Sequence, residues 1–221
     1  MRIILAGYGK MGKLIEEVAA YRGHEIVGII EKDTPISQFP EIFAQGDVLI
    51  DFTGPKSAYS IIIQGIENGI AVISGSTGWL DHFDKVVESV NHYNGSFLYA
   101  SNFSLGVNLF FNLNEYLISL MQKYPEYIAS IEEIHHTEKL DAPSGTAISL
   151  SKAFDKSPLI KSHREKDVPG THIISFNSPE DMIQIKHVAK NRKGFAFGAV
   201  SAAEWILGKK GVFSMKDVLE S

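Results

Sequence analysis

The chain reads as an α/β protein: a doubly wound parallel sheet followed by a second, α+β module. Three observations predict this. Over the first hundred residues, short apolar runs alternate with segments of helical period, the pattern that yields a parallel sheet covered by helices on both faces. The glycine run Gly7-Tyr8-Gly9-Lys10-Met11-Gly12 falls between the first apolar run and the first helical segment. After Asn102 the rhythm changes to a long helix, an isolated strand and a hairpin.

Residues 3–6 form the first expected strand. Met11, Leu14, Ile15, Val18 and Ala19 then recur at i, i+3, i+4, i+7 and i+8, so the helix that follows has one buried stripe, and Gly23 ends it. Further strands are expected at 25–30, 48–52, 71–74 and 97–100. Ala58, Ile61, Ile62 and Ile66 mark one intervening helix, and Leu80, Phe83, Val86, Val87 and Val90 another. Pro35 and Pro40 make 32–46 irregular or briefly helical. In the second module the pattern predicts a helix over 107–121, a strand over 128–134, a helix over 145–154, and strands 171–176 and 182–189 joined as a hairpin. The tail is apolar and alanine-rich through Trp205, and Ser214 with Asp217 forms a capping box for a last helix. The expected domains are 1–102, 103–194 and 195–221, the last returning to the first.

Composition narrows the function classes. The 221 residues contain no cysteine, which excludes disulfides, thiol catalysis and thiolate metal sites. A net charge of −5 argues against general nucleic-acid binding. No stretch approaches the roughly 20 apolar residues of a membrane span, and no signal-peptide pattern opens the chain, so a cytoplasmic protein is expected.

In the strand-glycine-helix context, Gly7 and Gly9 allow a tight turn and close approach to a pyrophosphate, and Gly12 allows helix and strand to pack closely. A glycine turn without ligand is the plainer reading. Glu31 lies about 20 residues farther on, where an acidic side chain accepts hydrogen bonds from the ribose hydroxyls of NAD. Lys32 beside it suits the 2′-phosphate of NADP or is a solvated charge, so NADH and NADPH both remain open. Gly75, Ser76, Thr77 and Gly78 follow one strand, and Ser101, Asn102 and Phe103 another. Both segments could equally be structural turns, but their shared placement on the sheet edge where such folds bind ligands favours cofactor contact.

The segment from Glu133 to Thr146 carries the candidate chemistry. On an extended strand His135 projects with Glu133 and Ile131, whereas His136 projects with Ile134, so the two histidines serve different purposes. A histidine suits proton transfer because its ordinary pKa of about 6.5 lies near working pH. Lys139 adds a donor and a positive charge, or is a solvated lysine in a loop that also holds Glu138 and Asp141. Pro143, Ser144, Gly145 and Thr146 open a helix whose free N–H groups and hydroxyls make a carboxylate cradle, with Ser144 as a plain N-cap the alternative. The cluster Lys186, His187, Lys190, Arg192 and Lys193 is either added positive charge for that site or a solvated face. Adjacent histidines on one strand are poor metal-ligand spacing, and no metal is expected.

Together these residues resemble the dihydrodipicolinate reductase (4-hydroxy-tetrahydrodipicolinate reductase) family of bacterial lysine and diaminopimelate synthesis. The resemblance runs through Gly7 to Gly12, Asp51-Phe52-Thr53, Gly75 to Gly78, Asn102-Phe103-Ser104, the string from His135 to Thr146, Val168 to Thr171 and the closing segment from Gly211 to Leu219. It implies hydride delivery from NADH or NADPH to a cyclic dicarboxylate, giving tetrahydrodipicolinate and water. It further implies His135 as proton donor and acceptor, Lys139 as a second donor, and His136, Gly145 and Thr146 as substrate contacts beside Ser144. Cofactor contacts are implied at Gly7 to Gly12, Glu31, Lys32, Gly75 to Thr77 and Ala100 to Phe103, and a homotetramer built through the sheet of the second domain. Longer family members carry an insertion where this chain has only the tight connection of 177–181. A non-catalytic dinucleotide sensor and a different two-domain reductase acting on a related imine are the competing readings.

Overall fold

In the computed structural model, which describes residues 1–31, 34 and 38–220, the apolar runs of the first hundred residues become parallel strands. These are β1 (Arg2–Ala6), β2 (Glu25–Ile30), β3 (Val48–Asp51), β4 (Ala71–Ser74) and β5 (Ser96–Tyr99). They lie in the order β2, β1, β3, β4, β5, and a sixth strand from the far end of the chain, Gly211–Phe213, adds in parallel beside β5. Between them run α1 (Lys10–Tyr21), α2 (Phe39–Phe43), α3 (Ala58–Glu67) and α4 (Phe83–His92).

The period-two alternation of the strands distributes the apolar side chains between two cores. Ile3, Leu5, Val48, Ile50, Ile73 and Leu98 face α1 together with the alanine-rich C-terminal helix. Ile4, Ala6, Leu49, Val72 and Phe97 face α3 and α4 on the opposite side. Because these strands are buried on both faces they read as continuous apolar runs. Each fully buried leucine or isoleucine among them contributes about 1.5–3 kcal/mol relative to exposure. The stripe expected on the first helix is present: Ile15, Val18 and Ala19 are buried, and Gly23, at φ 77°, follows the helix end in a left-handed conformation.

The second unit holds α5 (Leu105–Met121), β6 (Ile128–His135), α6 (Gly145–Ser151), β7 (Leu159–Arg164), β8 (Thr171–Asn177) and β9 (Met182–Val188). Its sheet has the order β7, β6, β8, β9, with β7 parallel to β6 and the remaining pairs antiparallel. The expected hairpin is therefore β8–β9. Strand β7 is an addition to the sequence expectation, and α6 stops at Ser151 where the periodicity had suggested residue 154. Phe154, just beyond the helix, stacks on Phe176 of β8 with ring centroids 5.9 Å apart.

The chain closes with α7 (Lys193–Ile206), β10 (the Gly211–Phe213 strand) and α8 (Met215–Leu219). Ser214 and Asp217 form the capping box on α8. By internal contacts the chain divides into Met1–Leu105 with Lys193–Ser221, and Gly106–Arg192. No helix among the described residues is long and apolar enough to cross a membrane.

Candidate active site

Strand order reverses between β1 and β3 of the six-stranded sheet, and open α/β sheets bind ligands in the crevice beyond the carboxyl ends of the strands at such a point. A cavity of about 820 Å³ lies there, lined by Gly7, Tyr8 and Gly9 after β1, Ile30 and Glu31 at the end of β2, and Phe52 to Ser57 after β3. The glycines divide the work. A Cβ on Gly12 would come 2.3 Å from the carbonyl oxygen of Gly7, so this position sets how closely α1 approaches β1. Gly9 has nothing within 4 Å of where a Cβ would stand, which leaves its cavity side open. It is the N-cap of α1, with no side-chain cap and no acidic residue in the first turn, so the free N–H groups and the helix dipole suit an anion. These features fit a dinucleotide pyrophosphate.

Tyr8 lines the cavity and its hydroxyl donates to Glu16. Met11 packs against the core and Lys10 is exposed on α1. Lys32 lies outside the described residues. Gly75, Ser76 and Thr77 follow β4, and Ala100, Ser101, Asn102 and Phe103 follow β5, at the same edge of the sheet but not among the residues lining the cavity. Phe52 links the strand ends: its ring lies 5.7 Å from that of Phe103 and would contact a Cβ on Gly75 at 2.4 Å. Beneath them, fully buried Asp51 accepts from Thr53 N (3.0 Å), Thr53 Oγ1 (2.6 Å) and Ser74 Oγ (2.7 Å), fastening the end of β3 to β4. Sequence reading had not singled out Gly54 to Ser57, Ser60 or Phe39 as cavity residues; the turn-forming Gly54-Pro55 at a strand end was the available signal.

In the second unit, one face of the sheet is ordered in rows. Residues opposite each other across paired strands share a face, so the registers place Ile160, Ile131, Ile174 and Ile185 side by side. The next row along that face is Ser162, Glu133, His172 and His187, and the last begins with Arg164 and His135. An apolar layer thus gives way to a polar one at the C-terminal end of β6. The expected grouping of Ile131, Glu133 and His135 on one face is observed, and all three are buried.

Oε2 of Glu133 touches Nδ1 of His135, and Oε1 of Glu133 accepts from Arg164 Nη1 at 3.0 Å. Burial alone would raise the Glu133 carboxyl, but hydrogen bonds from Ser162, Arg164 and Ser144, with the charge of His135, hold it below the ordinary range. Burial pushes His135 down, and Glu133 only partly offsets this against the positive charges of Lys139 and Arg164. Burial also brings His172 down to about 4. Its Nε2 lies 3.2 Å from Ser144 Oγ, and its ring meets that of His135 edge-on, with centroids 5.1 Å apart.

Lys139 Nζ donates to both carboxylate oxygens of Asp141, at 2.8 and 2.9 Å. His136 falls one residue beyond β6 and is half-buried. Ser144 is the N-cap of α6: it is 2% exposed and its Oγ accepts from Ala147 N at 3.2 Å. Gly145 is exposed with open space around it, and Thr146 is half-buried. Of the later basic cluster, His187 lies in the polar row, while Lys193 Nζ donates to Glu17 Oε1 in the first unit at 2.6 Å.

Glu133, His135 and His172 each present one possible ligand atom within 4.8 Å of the others. This trio is a different grouping from the adjacent histidines on which the expectation of no metal was based. The carboxylate is already engaged by Arg164 and by His135, so the arrangement suits proton holding better than cation binding.

Two family profiles, described as dihydrodipicolinate reductase N-terminus and C-terminus, match residues 1–103 and 106–219. The 4-hydroxy-tetrahydrodipicolinate reductase of Christiangramia forsetii is 45% identical over 99% of this chain and 98% of its own. That of Thermosipho africanus is 34% identical over 100% of this chain and 98% of its own. Among solved structures, a dipicolinate-bound dihydrodipicolinate reductase from Paenisporosarcina sp. TG-14 superposes with a TM-score of 0.81 at 20% identity, covering 98% of each chain. GenD2 from gentamicin A biosynthesis, in complex with NAD, shares the fold more distantly, with a TM-score of 0.64 at 9% identity over 94% of this chain and 86% of its own.

Proposed function

The chain belongs to the dihydrodipicolinate reductase family, and on that premise we propose that it reduces 4-hydroxy-tetrahydrodipicolinate to tetrahydrodipicolinate, with NADH or NADPH as hydride source. One substrate, one NAD(P)H and one proton give product, NAD(P)⁺ and water. The observation that carries the residue roles is the polar end of the β6 face, where His135 is backed by a buried carboxylate and followed by Lys139.

The dinucleotide, when bound, supplies the hydride. Gly7 and Gly9 give it room, the N-terminus of α1 receives the pyrophosphate, and Glu31 takes the adenosine ribose; Lys32 is the candidate partner of a 2′-phosphate. Tyr8, Lys10, Met11 and Gly12 complete or support that turn, and the segments Gly75 to Thr77 and Ala100 to Phe103 serve at the neighbouring strand ends. His135 holds and delivers the proton. Held below its ordinary range by burial, it gains affinity for a proton when a dianionic substrate arrives, since added negative charge favours imidazolium. Glu133 keeps the imidazole oriented through Nδ1. Lys139 acts as the second donor, His136, Gly145 and Thr146 hold the substrate carboxylates, and Ser144 serves the same cradle by capping α6. The dicarboxylate class is supported by the dipicolinate in the solved relative. A cytoplasmic location and a homotetramer complete the reading. The outer face of the second sheet supports the tetramer, because it leaves Ile128, Leu159, Met182 and Val188 exposed.

Substitutions His135→Ala and Lys139→Ala test the roles. Each is expected to lower kcat by about 10²-fold or more, the range for losing a positioned acid or base, while fluorescence titration shows unchanged NADH binding. Undiminished turnover in both variants would refute the assignment. Absence of substrate-dependent NADH oxidation in the unaltered protein would favour the sensor reading.

A further inference from the structure

Arg164 ends β7 and stands opposite His135 in the β6–β7 register. All three of its guanidinium nitrogens are engaged. Nη1 donates to Glu133 Oε1 at 3.0 Å and to the His163 carbonyl at 2.7 Å, Nη2 to the Asp141 carbonyl at 2.6 Å, and Nε to the Lys139 carbonyl at 3.3 Å. One side of the fork therefore grips the carboxylate that touches His135, while the other grips the loop from which the Lys139 side chain extends. In that loop Leu140 is 97% exposed, and the Lys139 ammonium is held by Asp141, whose own carbonyl Arg164 binds.

We propose that Arg164 is a positioning residue for both proton donors, setting the imidazole of His135 through Glu133 and the ammonium of Lys139 through the carbonyls of Lys139 and Asp141. The inference rests on the roles given above to His135 and Lys139 and adds the element that fixes their separation. The chemistry requires arginine. A planar guanidinium presents five donors in a rigid fork and reaches acceptors in several directions at once, whereas a lysine ammonium is a compact point charge that cannot span carboxylate and loop together. The charge also matters, because without Arg164 the buried Glu133 would face His135 as an unbalanced anion and the imidazole would rise in pKa.

The test compares Arg164→Ala, Arg164→Lys and Glu133→Gln in the full-length protein, following NADH loss at saturating dicarboxylate substrate and NADH binding by fluorescence. Arg164→Ala is expected to lose at least tenfold in kcat with unchanged NADH affinity. Guanidinium ion should restore part of the loss, and Arg164→Lys should remain impaired. A general structural lesion would not respond to guanidinium. Glu133→Gln keeps the shape of the side chain and should also lose at least tenfold in kcat at near-native Tm, which decides the matter if Arg164→Ala fails to fold. Full kcat in a folded Arg164→Ala, full activity in Glu133→Gln, or a loss in Arg164→Ala that guanidinium leaves untouched overturns the proposal. Should His135→Ala and Lys139→Ala be inactive while Arg164→Ala is not, this inference alone fails; should those two be fully active, the reading beneath it fails as well.

Discussion

At the scale of single residues, His172 shows what burial does to an imidazole. It is 4% exposed, it lies among His135, Glu133 and His187, and its pKa falls from 6.5 to about 4. Between those values the unfolded chain carries a proton on this side chain that the folded chain does not, so stability rises with pH across the window. The contribution is complete above about pH 6.5 and is lost on acidification toward 4, by roughly 3 kcal/mol in all. His135 and His187, also lowered chiefly by burial, add in the same direction. Urea denaturation from pH 7 to 4.5 is expected to show this decline, and His172→Gln should flatten it; an unchanged slope in that variant would exclude His172 as the source. Nothing in Thr171–Asn177, an apolar strand by composition, signalled a role for this histidine. Its neighbours are set by register between strands distant in sequence, whereas the His135 and Glu133 pairing was legible because alternation along a single strand suffices.

Among elements, the approach of α1 to β1 depends on one missing methyl group. A Cβ on Gly12 would sit 2.3 Å from the Gly7 carbonyl oxygen, so Gly12→Ala must push the helix away from the strand. Overpacking of this kind costs about 1–3 kcal/mol. It also displaces the helix N-terminus proposed to receive the pyrophosphate. The expected outcome is at least a tenfold weaker NADH titration with the far-UV circular dichroism retained, and native affinity would show that the turn tolerates the shift. Such an element is readable from sequence because strand, glycine turn and helix are contiguous. Strand β7 was not, since Leu159–Arg164 has only two apolar residues in six and lies at a sheet edge, where neighbours rather than composition decide the conformation. Strand β10 is three residues long and defined by its pairing with β5, so no periodicity could reveal it.

For the whole molecule, the outer face of the second sheet bears directly on assembly. Ile128, Leu159 and Met182 are each more than half exposed there, a distribution that monomers avoid and interfaces use. Replacing Leu159 and Met182 together by lysine is expected to convert the proposed tetramer to a smaller species by light scattering; a mass unchanged from that of the unaltered protein would rule out this face as its interface. The division into two units followed from the change of rhythm after Asn102, but the particular rows of the second sheet are set by register between strands distant in sequence. The first unit has a further property. It is stitched from both ends of the chain, and the alanine-rich α7 covering one face of its sheet is specified only after the whole second unit. On the ribosome, then, the nascent nucleotide-binding layer waits with that face bare until α7 emerges, while the inserted unit, being continuous, is free to mature first.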